Sequence, residues 1–110
     1  MSPDVITGIW NETKNPFIAN WETDDSSTQG YVKINQKGKG KMYVDSNKNG
    51  KRDKSDKVIA KVIVLESASD QNNIGFGTWT ADLESRTGTI FNQDGVELAI
   101  TRYKDVSYFI

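Results

Sequence analysis

The sequence predicts a small all-β domain, and three observations carry that reading. Valine, isoleucine, threonine and aromatic residues gather in short runs of about strand length. Those runs are bounded by clusters of Gly, Asn, Asp and Ser, the residues that turn a chain. Helix-period stretches are scarce. The 110 residues suit one domain, 1–110, with a modest core. The expected architecture is an antiparallel meander, barrel-like or sandwich, with a long loop at 45–57.

Strands are expected near Val5–Trp10, Tyr31–Asn35, Lys41–Val44, Val58–Leu65, Ile74–Thr80, Thr87–Phe91 and Val96–Tyr103, with one more at Val106–Ile110. The surest hairpin is Asn92-Gln93-Asp94-Gly95, where Asp-Gly sits between Thr89-Ile90-Phe91 and Val96-Glu97-Leu98. Asn35-Gln36-Lys37-Gly38 loosely repeats the design ahead of Lys41-Met42-Tyr43-Val44. Val58, Ile59, Val62 and Ile63 also fit one face of a helix. Their β-branched side chains lose rotamer freedom there, which favours the strand. The apolar run Val62-Ile63-Val64-Leu65 reads as a central strand. Trp10, Trp79, Phe76, Phe91 and Ile90 are expected in the core. Trp21, between Asn20 and Glu22, is expected at the surface, where it would stack on a sugar or mark a partner interface.

Composition removes several function classes. With no Cys and no His, the chain has no disulfide, no zinc site of the common Cys/His kinds and no Ser-His-Asp triad. The P-loop, dinucleotide fingerprint and nucleophile elbow are absent. Carboxylate pairs such as Glu12 with Glu22, or Asp24 with Asp25, suggest acid-base work only if folding brings them to a cleft, so a non-enzymatic protein is expected. Met1-Ser2-Pro3-Asp4 lacks the basic and apolar regions of a signal peptide, and no window approaches the ~18 apolar residues of a membrane span.

One segment carries distinctive chemistry. Asp45-Ser46-Asn47-Lys48-Asn49-Gly50-Lys51-Arg52-Asp53-Lys54-Ser55-Asp56 places oxygen-bearing side chains at loop positions 1, 3, 5, 9 and 12, with Gly at position 6. A hard cation needs six to eight oxygens, which short Asp and Asn side chains at alternate positions supply when the chain wraps around it. The pattern DxNxNGxxDxxD resembles the calcium-binding loop of the EF-hand and dockerin families. The resemblance implies Ca2+ as ligand, with side-chain oxygens from Asp45, Asn47 and Asn49, the carbonyl of Lys51, a direct or water-mediated contact from Asp53, and Asp56 as the closing carboxylate. Asp56 stands where those families usually have Glu, and Arg52 where an apolar residue commonly packs. Strand-like neighbours replace the flanking helices, so EF-hand switching is not implied. Three Asp oppose Lys48, Lys51, Arg52 and Lys54, so binding should be weak, on the order of 10⁻⁴ to 10⁻³ M. A site that weak fills where calcium is plentiful, which favours an extracellular or cell-surface setting in a larger bacterial-type protein.

Two other binding readings stand beside it. Ten of the 14 basic residues fall within 33–61, although the whole chain carries a formal charge of −1. Lys33, Lys37, Lys39, Lys41 and Lys61, interleaved with Tyr31 and Tyr43, would bind a polyanion or nucleic acid if lysines met phosphates and tyrosines stacked on bases. The same lysines would also protect an edge hairpin from aggregation. Thr7-Gly8-Ile9-Trp10 and Gly75-Phe76-Gly77-Thr78-Trp79 resemble the Gly-x-Trp that opens lipocalin and avidin-type barrels, which implies a small-ligand cavity. A protein or carbohydrate partner fits the module reading.

Overall fold

The structure is a computed structural model that describes residues 3–10, 17–45, 56–66 and 74–109. Among these residues nine strands form, all paired antiparallel: β1 (Pro3–Trp10), β2 (Phe17–Thr23), β3 (Gln29–Ile34), β4 (Lys39–Val44), β5 (Lys57–Val64), β6 (Ile74–Phe76), β7 (Thr78–Asp82), β8 (Thr87–Phe91) and β9 (Glu97–Tyr103). Their order in the sheet is β6-β1-β2-β3-β4-β5-β9-β8-β7. The two ends of that order, β6 and β7, are separated in the chain by Gly77 alone. The sheet therefore curls back on itself into a nearly closed barrel.

Gly77 makes the closing stitch. Its N–H donates to the Phe91 carbonyl of β8 at 2.8 Å, and its own carbonyl accepts the Ile6 N–H of β1 at 3.1 Å. A Cβ at this point would come within 3.0 Å of the Asn92 and Gln93 backbone, so the close approach requires glycine. The strand expected over Ile74–Thr80 is in consequence split at Gly77 into β6 and β7. β1 to β5 run as a meander, then the chain crosses to β6 and returns through β7, β8 and β9 to pair with β5. This last connection is of Greek-key type rather than a meander step.

β2 was not among the expected strands. Phe17-Ile18-Ala19-Asn20-Trp21-Glu22-Thr23 alternates nonetheless, with Ala19, Trp21 and Thr23 turned inward and Ile18, Asn20 and Glu22 outward. The expectation for Trp21 is corrected by the same pattern: it is 2% exposed, because its polar neighbours face the opposite side of the strand. The indole crosses β3 over Gly30, and its Nε1–H donates to the Tyr43 carbonyl of β4 at 3.1 Å.

Register shifts interrupt the ladder at Pro3/Val5, Met42/Tyr43 and Ile90/Phe91, and the last two bend the barrel wall. Met42 pairs with Ala60 but Tyr43 with Val58, which leaves Ile59 between them and turns both Ile59 and Ala60 inward. The Ile59 carbonyl accepts the N–H groups of Lys104 and Asp105 at 2.7 and 3.2 Å. Leu98 is displaced likewise between the Ile90–Ala99 and Phe91–Glu97 pairs. β5 takes an interior place between β4 and β9, as its apolar run predicts. Its outward Ile63 stays 39% exposed.

The expected strand at Val106–Ile110 is replaced by a 3-10 turn, η1 (Ser107–Phe109). Asp105 accepts bonds from the Ser107 N–H and hydroxyl, and the Phe109 N–H donates to the Val106 carbonyl. β9 is already paired on both sides, so no neighbouring edge is open to a further strand. The turn folds Phe109 into the barrel mouth, where it meets Trp21, Trp79 and Tyr103 edge-on at centroid distances of 5.4 to 5.9 Å. Trp79, Phe76 and Ile90 are core residues as expected, and Phe91 is half-buried. The side chain of Trp10 lies outside the described residues.

Candidate functional site

The 45–56 segment leaves and re-enters the barrel at one end. Val44 of β4 and Lys57 of β5 are register partners, so the loop's first and last positions, Asp45 and Asp56, emerge side by side beyond that pair. The Asp45 N–H donates to the Gln29 carbonyl at 3.0 Å, which carries the β3–β4 ladder one step past the strand. At 5% exposure Asp45 is the only charged residue that is buried among the described residues. Asp56 is half-buried, and its Oδ2 accepts the Tyr31 hydroxyl at 3.1 Å. Loop positions Asn47, Asn49, Lys51 and Asp53 lie outside the described residues. Among the described residues no cluster of three or more Asp, Glu, His or Cys forms.

Tyr31 and Tyr43 are register partners on the outer face of β3 and β4. Their rings stack on each other at 4.9 Å and 18°, and each is only 6% exposed. With their ring faces so taken, they serve the barrel wall and the loop's closing carboxylate rather than an open stacking platform. A surface cleft of about 440 Å³ opens beside them, lined by Thr7, Asn20, Glu22, Gln29, Tyr31 and Asp45 among others.

The lysines of the basic segment fall into register. Lys33 pairs with Lys41, Lys41 with Lys61, and Lys61 with Arg102. All four lie on the outer face, since Val32, Ile34, Met42, Val62 and Thr101 beside them point inward. Lys39 is the next outward residue on β4, opposite Ile63, and Lys37 sits exposed in the β3–β4 turn. Arg102 escapes a reading based on sequence neighbours, because only the β5–β9 pairing brings it to the lysines. β3, β4 and β5 are paired on both sides, so these lysines do not guard a sheet edge.

Three carboxylates are held below the ordinary aspartate value of 3.8 by the turns they cap: Asp25 by the Ser27 backbone and the Ser27 and Thr23 side chains, Asp82 by Ser85, and Asp105 by Ser107. Asp25 and Asp82 accept their own turns' N–H groups, which is a structural role. Glu12 lies outside the described residues.

Among the described residues, Trp21, Trp79, Tyr103 and Phe109 form one aromatic cluster inside the barrel, with ring centroids 5.4 to 5.9 Å apart. No family model, curated protein or solved structure matches this chain. Among the described residues no helix is long and apolar enough to cross a membrane.

Proposed function

We propose that this chain is a non-enzymatic binding or structural module whose β4–β5 loop takes a calcium-type divalent cation in a structural role. The observation that carries the reading is Asp45: a buried carboxylate at the first loop position, with Asp56 at the last position delivered beside it by the β4–β5 ladder. Two carboxylates brought together at the rim of the barrel are the kind of oxygen donors that a hard cation takes. The sequence supplies further oxygens at Asn47, Asn49, Lys51 and Asp53 in the right alternation. Such an ion would tie a long connection to the barrel rim, and weak affinity would keep it filled where calcium is abundant, at the cell exterior.

The test is the thermal midpoint of the protein in chelator and then in ~5 mM calcium, with magnesium as control. A site of about 10⁻⁴ M adds roughly 2.3 kcal/mol by linkage, a rise of several degrees for a domain of this size. Asp45→Asn, nearly isosteric, should abolish the rise. An identical midpoint with and without calcium would sink the reading and leave the segment an ordinary polar loop.

A further inference from the structure

The ladder sets four cations on directly opposed positions of four adjacent strands: Lys33 on β3, Lys41 on β4, Lys61 on β5 and Arg102 on β9. Cβ atoms at such positions stand about 4.5–5.5 Å apart, and like charges placed there repel. Among the described residues none of the four forms an ion pair. Followed further along the ladder, the row meets Thr87 and then Asp82, so the nearest carboxylate in register is two strands beyond Arg102. Asp82 is moreover committed to the Glu84 and Ser85 N–H groups of its own turn. At the other end the row meets Ile18, 57% exposed, and above it stand Lys39 and the exposed Ile63. Edge protection does not explain the row, because every strand in it has two partners. A concentration of charge that disfavours the isolated fold, on a protein of net charge −1, marks a surface completed by an opposite charge.

We propose that this face binds an acidic polysaccharide, a flexible chain carrying carboxylate or sulfate groups, along the row Lys33, Lys41, Lys61 and Arg102. Charge complementarity selects a polyanion, and the aromatic inventory of the face selects its kind. Single-stranded nucleic acid is held largely by bases stacking on aromatic rings, whereas Tyr31 and Tyr43 are nearly buried and stacked on each other. Readout of duplex DNA calls for an element that enters a groove, and this face is the convex wall of a barrel. A sugar polyanion asks only for an outward row of cations. Lys and Arg fanned across a curved wall suit a chain that bends around it.

Heparin is the probe, titrated into the full chain in chelator, so that the outcome is independent of the calcium reading. Binding is expected at about 50 mM NaCl and should weaken linearly in log K against log salt, as counterion release requires. The double variant Lys41→Ala/Lys61→Ala should lose about tenfold or more in affinity and flatten the salt slope. Its thermal midpoint should hold or rise, since two repelling charges are gone, which separates lost binding from lost folding. Lys57→Ala, which removes a cation away from the row, should leave affinity within about twofold, and uncharged dextran should not bind. Absence of heparin binding at low salt, or equal affinity in the double variant, overturns the proposal. Tighter binding of an oligodeoxythymidine of matched charge would assign the face to nucleic acid and overturn it equally.

Discussion

The Trp21 indole lies across Gly30 and hands its Nε1–H to the Tyr43 carbonyl oxygen, 3.1 Å away on the next strand but one. Trp21, Gly30 and Val44 are register partners on β2, β3 and β4, so the ring spans the inner face of three strands at a place where the middle one has no side chain. The bond satisfies a buried donor that would otherwise be costly in the barrel interior. The bare Cα of Gly30 is what lets the ring pass.

Gly30→Ala should therefore be among the most damaging single changes. The added Cβ would stand 1.9 Å from the Tyr43 carbonyl oxygen and 2.8 Å from two indole carbons, and the carbonyl belongs to a ladder that cannot easily give way. A loss of about 3 kcal/mol or more is expected in urea unfolding, with a blue-shifted tryptophan emission giving way to a red-shifted one. Gly75→Ala, whose Cβ would meet nothing within 4 Å, is the matched control and should move the midpoint by less than about 1 kcal/mol.

Phe109→Ala should open the lower mouth of the barrel. The ring is fully buried against Trp21, Trp79 and Tyr103, and among the described residues the Thr28 hydroxyl donates to the Tyr108 carbonyl at 3.2 Å to tie η1 to the β2–β3 loop. Burial of the ring thus does most of the anchoring. Truncation should cost about 3–5 kcal/mol and weaken the near-ultraviolet circular dichroism of the two tryptophans before the far-ultraviolet strand signal is lost. Coincident loss of both signals at an unchanged midpoint would show that the turn is dispensable.

The hairpins at Asn35 and Asn92 use one scheme, and equivalent changes should have equivalent effects. In each, the Asn side chain accepts two backbone N–H groups, Lys37 and Lys39 in the first and Asp94 and Val96 in the second. Each closes with a glycine at positive φ, Gly38 at 79° and Gly95 at 81°. Asn35→Ala and Asn92→Ala should each cost about 1 kcal/mol, and Gly95→Ala about the same through backbone strain alone. Thermal midpoints of the three variants, measured side by side, check the equivalence.

Tyr103 should set the alkaline limit. Burial raises its hydroxyl above the ordinary tyrosine value of 10, and the neighbouring Thr101 hydroxyl offsets only part of that. Above pH 10 the unfolded chain loses this proton while the folded chain keeps it. Stability is consequently full below pH 10 and falls as pH rises beyond it, by up to about 1.4 kcal/mol per pH unit. Tyr103→Phe should remove that slope and move the midpoint at pH 7 by less than about 1 kcal/mol, because burying the hydroxyl carries a desolvation cost that its Thr101 neighbour only partly offsets. On the acid side the sign reverses: Asp25, Asp82 and Asp105 support the fold above their ordinary value of 3.8 and cease to do so as pH falls through their lowered values.

Local patterns in the sequence determined the all-β class, the position of most strands, the hairpin turns Asn35–Gly38 and Asn92–Gly95, and the oxygen-rich segment between Asp45 and Asp56. Each is written in neighbouring residues: alternation fixes a strand, a glycine at positive φ fixes a turn, and alternate Asp and Asn oxygens suit a cation. What the tertiary structure decided is non-local. Trp21 went inward because its strand joined β1 and β3, against the hint of its polar neighbours. The segment after β9 became a plug because β9 is already paired on both sides, with β5 and β8. Gly77 closed the barrel through backbone hydrogen bonds at an approach that leaves little room for a Cβ, and Arg102 joined the lysine row through β5–β9 ladder bonds that no particular side chain specifies. Pairing between distant strands is selected by the fit of the whole closed sheet, and that fit has no signature in a short window of sequence.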